Sequence, residues 1–379
     1  MRLQHKGETY YESGFDEVTG NVVRRVARVA RYGDVPDVVQ KRFPRRYHNI
    51  PSPSPEMVDI GITRQCSMGC TYCYQNSLPD GVHADKGLIE AVVSGFDVPP
   101  YQVAIGGGEP TLHPDLPWML RRARELGTVP NYTTNGMFLL DNPELLAVTN
   151  EVCGGVALSF HANKGLEWFL DTYQRMRAAL KCQLNVHLIA DCNVARNLMA
   201  LADAKIGPVN LVLLAYYPDV GRASVSQMMT RRTYTEALPE AVRVALVRDF
   251  RLAFSEGLLP YFLSRPELGL NADAAMASEG QFTCYVSPEG KLEINSFEDR
   301  LGDGLTVFTA KAQKLWEDLY APSGHPDGAP CHDCEHQARC ASHHECHALL
   351  CKYFSHNSLP LSPDDSTEPK AWFDRLDED

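Results

Sequence analysis

Three cysteines lie within eight positions of the stretch QCSMGCTYCYQ. Cys66, Cys70 and Cys73 follow the apolar run DIGIT after a gap of only two residues. Thiolates are soft ligands that bind zinc or iron-sulfur clusters, and a four-iron cluster takes one ligand at each iron. Structural zinc needs four closed ligands, and thiol-rich catalytic zinc sites usually add a histidine. The nearest downstream histidine is His83, so the spacing favours a cluster with one iron left open.

Further polar motifs close the apolar runs that follow. GGGEP at 106–110 ends the second apolar run, and TTNG at 133–136 ends the third. LSFH ends the fourth run, and NVARNL follows the fifth. Gly107 and Gly108 lack a Cβ and let the backbone approach a ligand closely. Glu109 supplies a carboxylate for an ammonium group. No structural reason for a glutamate at this position is evident from the sequence.

An alternation of strands and helices must position these motifs. Six short apolar runs between residues 57 and 216 predict buried strands, and the segments between them have the i, i+3, i+4 spacing of amphipathic helices. Five consecutive βα crossovers require a parallel sheet with right-handed connections. In such a sheet the chemistry lies at the carboxyl ends of the strands. All of the motifs above fall at those ends.

The ordered set of motifs resembles the radical S-adenosylmethionine (radical SAM) family. CSMGCTYC matches the family's C-x3-C-x-aromatic-C loop, and the resemblance covers residues 56–220. It implies an α/β fold, a partial (β/α)6 barrel, with a small cysteine-rich C-terminal extension. It also implies that Cys66, Cys70 and Cys73 hold one SAM-binding 4Fe-4S cluster. Reductive cleavage of SAM would then give a 5'-deoxyadenosyl radical, which takes a hydrogen atom from the substrate.

The same resemblance implies which residues bind SAM. Tyr72 would lie against the adenine, and Glu109 would contact the methionine amino group. The full set of expected contacts is Tyr72, Gly107, Gly108, Glu109, Thr134, Asn135, Ser159 and Asn193.

The C-terminal cysteines resemble the SPASM/twitch extension of the family, which carries auxiliary four-iron clusters. CHDCEHQARC has the spacing C-x2-C-x5-C, while the family's usual first pair around a hairpin is poorly represented. We therefore expect one auxiliary cluster, with Cys284 as a possible substitute ligand. Zinc is the competing interpretation, because five histidines lie nearby. The expected ligands are Cys331, Cys334 and Cys340, with Cys351 or Cys346.

Charge and composition narrow the functional classes. The formal net charge is −12, which argues against nucleic acid as the main partner. No apolar stretch approaches the roughly 20 residues that span a bilayer. The N-terminal stretch lacks the apolar core of a signal peptide, so we expect a cytoplasmic protein whose cysteines are reduced.

The sequence divides into five parts. An N-terminal extension, 1–55, includes NVVRRVARVARY, whose spacing predicts a helix with arginines on one face. The barrel, 56–220, is followed by a helical connection, 221–280, where LPEAVRVALVRDFRLAFSEG predicts one helix. The auxiliary domain, 281–356, opens with a hairpin whose turn is PEGK, and an acidic tail, 357–379, ends the chain.

The substrate is left open by the sequence. Relatives with this extension modify ribosomally made peptides or proteins, which is our first expectation, and others dehydrogenate or epimerise small molecules. An electron donor such as flavodoxin or ferredoxin is implied. A non-catalytic iron-sulfur or zinc scaffold would leave the SAM motifs unexplained.

Cys192 follows the fifth strand, at the mouth of the barrel. It could return a hydrogen atom to a substrate radical, or it could be a packed core cysteine. A donor thiol exchanges with solvent, so it would leave one deuterium on product formed in heavy water.

Overall fold

The computed structural model describes residues 2–6, 9–18, 21–28, 52–218, 220–230, 232–258, 261–262, 265, 268, 279–280, 282–297 and 305–319. A three-stranded antiparallel sheet comes first, with strands β1 Arg2–Lys6, β2 Thr9–Asp16 and β3 Asn21–Arg28. The helix expected from NVVRRVARVARY is therefore wrong over residues 21–28. These residues pair with β2 along its whole length, and valine, which is β-branched, favours such pairing over a helix.

A nine-stranded sheet forms the body of the protein, and six of its strands are those that the sequence predicts. These six pair in parallel and in chain order. They are β4 Met57–Gly61, β5 Gln102–Gly106, β6 Val129–Thr134, β7 Gly155–Ser159, β8 Gln183–Ala190 and β9 Val209–Ala215. The helices between them are α1 Leu88–Val93, α2 Leu116–Glu125, α3 Pro143–Val152, α4 Leu166–Ala179 and α5 Val194–Asp203.

Two further parallel strands flank these six. β10, Phe250–Phe254, pairs with β9, and β11, Thr283–Val286, pairs with β4. The expectation of one long helix before Gly257 is wrong, because α6 covers Leu238–Val247 and Asp249 then takes a left-handed conformation, φ 62°, that ends it. β10 follows at once.

The C-terminal hairpin expected around PEGK is confirmed. β12, Leu292–Glu293, pairs antiparallel with β11. Because β11 also pairs with β4, the hairpin extends the barrel sheet next to its first strand. The hairpin, which the sequence assigns to a separate extension, therefore shares the sheet that carries the cysteine loop.

The two faces of the sheet differ in character. Val58 and Ile60 of β4 are 0% and 1% exposed and join one large apolar core with the helices. The residue between them, Asp59, lies on the opposite face. We call this opposite face the interior face. Asn131 of β6 and His187 of β8 also lie there, since their strand neighbours are the buried ones.

Helix α7, Ala312–Leu319, holds the segment that leads into β4. Trp316 is 2% exposed, and its Nε1 donates to the Ser52 carbonyl oxygen at 3.0 Å. Gln313 donates to the Pro53 carbonyl oxygen at 2.8 Å and accepts from the Ser54 hydroxyl at 2.8 Å. The start of the barrel is therefore fixed by residues near the end of the described chain.

The N-terminal sheet contacts the barrel through β2. The Ser13 and Tyr101 hydroxyls lie 2.8 Å apart, and the rings of Phe15 and Tyr101 stack with centroids 5.3 Å apart. Glu17 pairs with Arg124 at 2.7 Å. Tyr101 directly precedes β5, so the sheet docks at the end of the barrel away from the cysteine loop.

Within the described ranges, the structure contains no helix with the length and apolar character of a membrane span.

We predict that Trp316→Ala lowers the free energy of unfolding by about 3–5 kcal/mol, because it removes a buried indole and its hydrogen bond. Trp118→Ala is the matched control, since Trp118 is 38% exposed and contacts Lys86 at the surface. Chemical denaturation measures both variants. Equal losses would show that α7 does not anchor the barrel.

Candidate functional site

The cysteine loop follows β4, and its two arms run side by side before the chain reaches α1. Arg64 N donates to the Val82 carbonyl oxygen at 2.9 Å, and Cys66 N donates to that of Leu78 at 2.9 Å. Leu78 N donates back to the Arg64 carbonyl oxygen at 3.1 Å. These bonds hold the two arms of the loop together. Cys66 lies at the carboxyl end of the first barrel strand, as the sequence predicts.

The three thiols of this loop influence one another. Cys66, Cys70 and Cys73 are all free and half-buried. Burial raises the pKa of Cys70 to about 11, and negative charge on Cys66 and Cys73 adds to the rise. Burial likewise raises the pKa of Cys66, with Glu109 and Cys73 contributing. Without a bound cation Cys66 and Cys70 therefore stay protonated, and three thiolates held close together require positive charge between them.

This donor set fits an iron-sulfur cluster. In the described ranges no three His, Cys, Asp or Glu side chains are placed to hold a single metal ion. A four-iron cluster instead takes each thiolate at a different iron. Cys66, Cys70 and Cys73 would supply three of those ligands.

Arg222 clamps the cysteine loop from the segment after β9. Its Nε donates to the Cys70 carbonyl oxygen at 3.0 Å, and its Nη1 donates to the Ser77 carbonyl oxygen at 3.0 Å and to Asn76 Oδ1 at 3.2 Å. Its backbone N donates to the Cys73 carbonyl oxygen at 3.0 Å. The guanidinium also lowers the pKa of Cys70 and of Cys66, against the effect of burial. Sequence reasoning missed Arg222, because a lone arginine 149 positions after Cys73 carries no local signal.

The GGGEP segment packs against the same loop. A Cβ on Gly107 would lie 2.3 Å from the Thr63 carbonyl oxygen, and one on Gly108 would lie 2.2 Å from that of Gln65. The backbone N of Gly108 donates to the Thr63 oxygen, and that of Glu109 donates to the Gln65 oxygen, both at 2.7 Å. The close approach predicted for these glycines is therefore made to the protein backbone. A Cβ on Gly106, in contrast, would meet nothing within 4 Å.

Glu109 has a structural role that the sequence does not reveal. Its side chain is 1% exposed. Oε1 accepts from the Thr134 hydroxyl at 2.7 Å and from the Thr111 hydroxyl at 2.6 Å, while Oε2 accepts from the backbone N of Asn135 at 2.7 Å. The carboxylate thereby ties the end of β5 to the end of β6. Burial raises its pKa, and these hydrogen bonds oppose the rise.

Asn135 offers an unused donor at this place. The residue is 4% exposed, its Oδ1 accepts from the Met137 backbone N at 2.9 Å, and its Nδ2 is buried without a hydrogen-bond partner. A buried amide N–H without an acceptor costs about 1–3 kcal/mol, which a polar ligand would recover. Together with the open space at Gly106, this donor fits the bound SAM that the motifs predict.

The remaining predicted SAM contacts also lie at carboxyl ends of strands. Ser159 ends β7 and is half-buried. Asn193 lies at the start of α5, and its Nδ2 donates to Cys192 Sγ at 3.4 Å. Cys192 itself is half-buried in the loop after β8, and its backbone N donates to the Gln227 carbonyl oxygen at 2.9 Å. The position of Cys192 is as expected, while its role as a hydrogen-atom donor stays a prediction.

His161 joins Tyr72 to the cysteine loop. Its Nδ1 lies 3.2 Å from Tyr72 Oη and 3.5 Å from Cys70 Sγ. Burial, with a smaller effect from Lys164, lowers the pKa of His161 to about 4, so the imidazole is neutral. The sequence contains this histidine within LSFH, but the motif drew attention to Ser159 instead.

Of the cysteines expected to bind an auxiliary cluster, only Cys284 lies in the described part of the chain, and it is buried. Cys284 is 2% exposed on β11, opposite Val58 in the apolar core, and burial raises its pKa well above the usual value. That environment suits a packed thiol and gives no support to its role as a substitute ligand. Cys331, Cys334, Cys340, Cys346 and Cys351 lie outside the described residues.

Comparison with known proteins agrees with this site. The model of the Radical SAM superfamily matches residues 60–189, which run from the end of β4 to the end of β8. The chain contains a radical SAM domain. This domain includes the cysteine loop, the GGGEP segment and all of the predicted SAM contacts except Asn193.

Several relatives share parts of the radical SAM domain. PqqA peptide cyclase of Gluconobacter oxydans is 34% identical over 113 residues, which are 28% of this chain and 31% of that protein. GTP 3',8-cyclase of Limosilactobacillus fermentum is 31% identical over 98 residues, 24% of this chain and 30% of that protein. The chain thus matches about a third of the length of these curated relatives.

The fold extends beyond these segments. The crystal structure of Streptococcus suis SuiB bound to S-adenosylmethionine matches 84% of this chain and 78% of its own, with TM-score 0.62 and 16% identity. SuiB bound to its precursor peptide SuiA matches 76% of this chain and 70% of its own, with TM-score 0.58 and 15% identity. These matches confirm the mixed α/β fold with a largely parallel sheet.

We predict that Arg222→Gln lowers the iron bound per chain by at least about tenfold. Each hydrogen bond from a charged donor contributes about 1.5–3 kcal/mol, and the variant loses those that hold the cysteine loop. Iron per chain is measured after anaerobic reconstitution and gel filtration. Arg177→Gln is the control, since Arg177 donates to the Ile206 carbonyl oxygen on the far side of the barrel. If Arg222→Gln keeps as much iron as the parent, the clamp is not needed to form the site.

Proposed function

We propose that this protein is an enzyme that reductively cleaves SAM and abstracts a hydrogen atom from a ribosomally made peptide or protein. The proposal depends on the hydrogen bonds that join the GGGEP segment to the cysteine loop. The backbone of Gly108 and Glu109 is hydrogen-bonded to the base of the cysteine loop. A three-thiol site and a site for an amino acid moiety therefore adjoin, as SAM cleavage requires.

Each group of residues has a proposed task. Cys66, Cys70 and Cys73 would hold the SAM-binding 4Fe-4S cluster, which would supply the electron for cleavage of SAM to methionine and a 5'-deoxyadenosyl radical. Arg222 holds the cysteine loop in shape. Thr134 and Asn135 fix Glu109 at the carboxyl ends of β5 and β6, beside the expected methionine moiety.

Further residues bind the rest of SAM in this proposal. The open space at Gly106 and the unpartnered Asn135 Nδ2 are available to its polar groups. Tyr72, positioned by its contact with His161, would pack on the adenine. Gly107, Gly108, Ser159 and Asn193 complete the proposed set.

A peptide substrate is favoured by two relatives. SuiB has been crystallised with a precursor peptide, and PqqA peptide cyclase is named for its peptide. A small-molecule dehydrogenase or epimerase is the second candidate, because GTP 3',8-cyclase also matches the radical SAM domain. An electron donor such as flavodoxin or ferredoxin would supply the reducing electron.

We predict that the anaerobically reconstituted protein, given dithionite and SAM, forms 5'-deoxyadenosine slowly even without a substrate. Replacing Cys66, Cys70 and Cys73 by Ala should abolish this product, because no ligands remain for the cluster. The Cys153→Ala/Cys182→Ala variant is the control, since both thiols pack away from the loop and burial raises the pKa of each. Chromatography of the nucleoside gives the answer. Equal cleavage by the triple variant would refute the proposed site.

An auxiliary cluster held by the C-terminal cysteines belongs to the same proposal. We predict about eight iron atoms per chain in the parent and about four in the Cys66/Cys70/Cys73 triple variant, because each cluster carries four. Iron and zinc are measured together by mass spectrometry. Zinc without iron in the triple variant would replace the auxiliary cluster by a zinc site.

A further inference from the structure

Asp59 places a carboxyl group on the interior face of the barrel sheet. It lies in the middle of β4, between Val58 and Ile60, whose side chains enter the apolar core. Its register partners are Ala104 on β5 and Tyr285 on β11. The residue is exposed at the surface of this face, and the protein atoms around it raise its pKa to about 7 by desolvation.

The described residues provide no cation for this carboxyl group. Arg64, at the start of the cysteine loop, is already paired with Glu289 through two bonds of 2.8 and 3.0 Å. His187, on the interior face of β8, is neutral because burial lowers its pKa to about 4. In the described part of the chain Asp59 forms no side-chain hydrogen bond or ion pair.

The titratable neighbours of Asp59 are also neutral near pH 7. They are the phenols of Tyr74 and Tyr285 and the thiol of Cys284, and burial is the main cause of a raised pKa in each. Of Asp59, Tyr74, Tyr285 and Cys284, only Asp59 therefore changes its protonation near pH 7. The charges of Arg64, Glu289 and Glu293 also act on Tyr285.

Polar atoms without hydrogen-bond partners lie around Tyr285, the register partner of Asp59. Gln75 Nε2 donates to Tyr285 Oη at 3.3 Å and to Tyr74 Oη at 3.1 Å, which turns its other amide atom, Oε1, into a buried acceptor with no hydrogen bond. Asn295, in the segment after β12, is 5% exposed and has its Nδ2 unpartnered. A buried acceptor held by Tyr285 and a carboxyl group on the neighbouring strand together suit a ligand that donates several hydrogen bonds.

Aromatic rings cluster around Tyr74, whose hydroxyl accepts from Gln75. The ring of Phe297 lies 4.9 Å from that of Tyr74 and 4.0 Å from that of Tyr217. Tyr74 belongs to the cysteine loop, Tyr217 follows β9 and Phe297 follows the hairpin. Aromatic faces attract organic cations, most strongly where water is excluded.

We propose that Asp59, Gln75 Oε1 and the bordering aromatic rings form a binding site for an organic cation, the ammonium or guanidinium group of a basic side chain in the substrate. An ammonium group carries three donors and a guanidinium group five, which matches a carboxylate and an amide oxygen that lack donors. The site lies on the sheet strand that leads into the cysteine loop. The proposal rests on the proposed function for the identity of the ligand as part of a substrate.

The experiment measures binding of two probes that differ in charge. Nα-acetyl-lysine N-methylamide and Nα-acetyl-norleucine N-methylamide have the same linear carbon chain, and only the first carries an ammonium group. Each is titrated calorimetrically into the reconstituted protein at pH 7, without SAM or reductant. We expect the lysine probe to bind at least tenfold more tightly and Asp59→Asn to remove that preference.

A second readout identifies the carboxyl group that binds. Because its pKa is raised to about 7, Asp59 is partly protonated at pH 7, so binding of a cation should release a fraction of a proton. Titration in two buffers of different ionisation enthalpy measures this release. Asp59→Glu keeps the charge and should retain most of the preference. Asp141→Asn, an exposed site, should leave both affinities unchanged.

Two outcomes would overturn the proposal. The first is equal affinity for the two probes, and the second is an unchanged preference in an Asp59→Asn variant that melts at the parent's temperature. Because the measurement uses neither SAM nor reductant, failure of SAM cleavage would not affect it. Binding of the cation without SAM cleavage would sustain this site and reject the radical function.

Discussion

The site depends on how closely two loops approach each other. The backbone of Gly107 and Gly108 lies against the carbonyl groups of Thr63 and Gln65, where any Cβ would be about 2.2–2.3 Å from an oxygen atom. Such an approach is possible only because Gly107 and Gly108 have no side chain. It fixes the cysteine loop relative to the ends of β5 and β6, and Glu109 then joins those two ends. The proposed cluster ligands and the expected SAM contacts are thus held by backbone hydrogen bonds on a rigid sheet.

Positive charge is the second requirement of the cysteine loop. Burial disfavours the thiolate forms of Cys66 and Cys70, so the bare loop is a poor ligand until a cation arrives. Arg222 is the protein's own contribution of positive charge, and its hydrogen bonds to loop carbonyl oxygens keep that charge in place. The loop after β9 is therefore part of the site, although it lies outside the segment that matches the family.

The sequence predicts the parts of this site that are set by local pattern. Apolar runs give all six central strands, and the motifs at their ends give the cysteine loop and the GGGEP segment. Arg222 and His161 could not be found in this way, because each acts across the fold on a loop distant in sequence. The helix expected at residues 21–28 failed for a related reason, since pairing with β2 overrides the helical spacing. Glu109 was expected to serve only a ligand, but buried hydroxyl partners that the sequence does not place beside it give it a second task.

The pairing of β11 with β4 has a consequence for the order in which the protein is made. Val58 on β4 pairs with Cys284 on β11, and Asp59 with Tyr285. At a ribosomal rate of about 5–20 residues per second, the partner strand emerges roughly 10–45 s after β4. During that interval β4 has one unpaired edge, directly before the cysteine loop. An exposed strand edge can pair with other chains, so during this period of synthesis the proposed cluster site adjoins an edge that is open to aggregation.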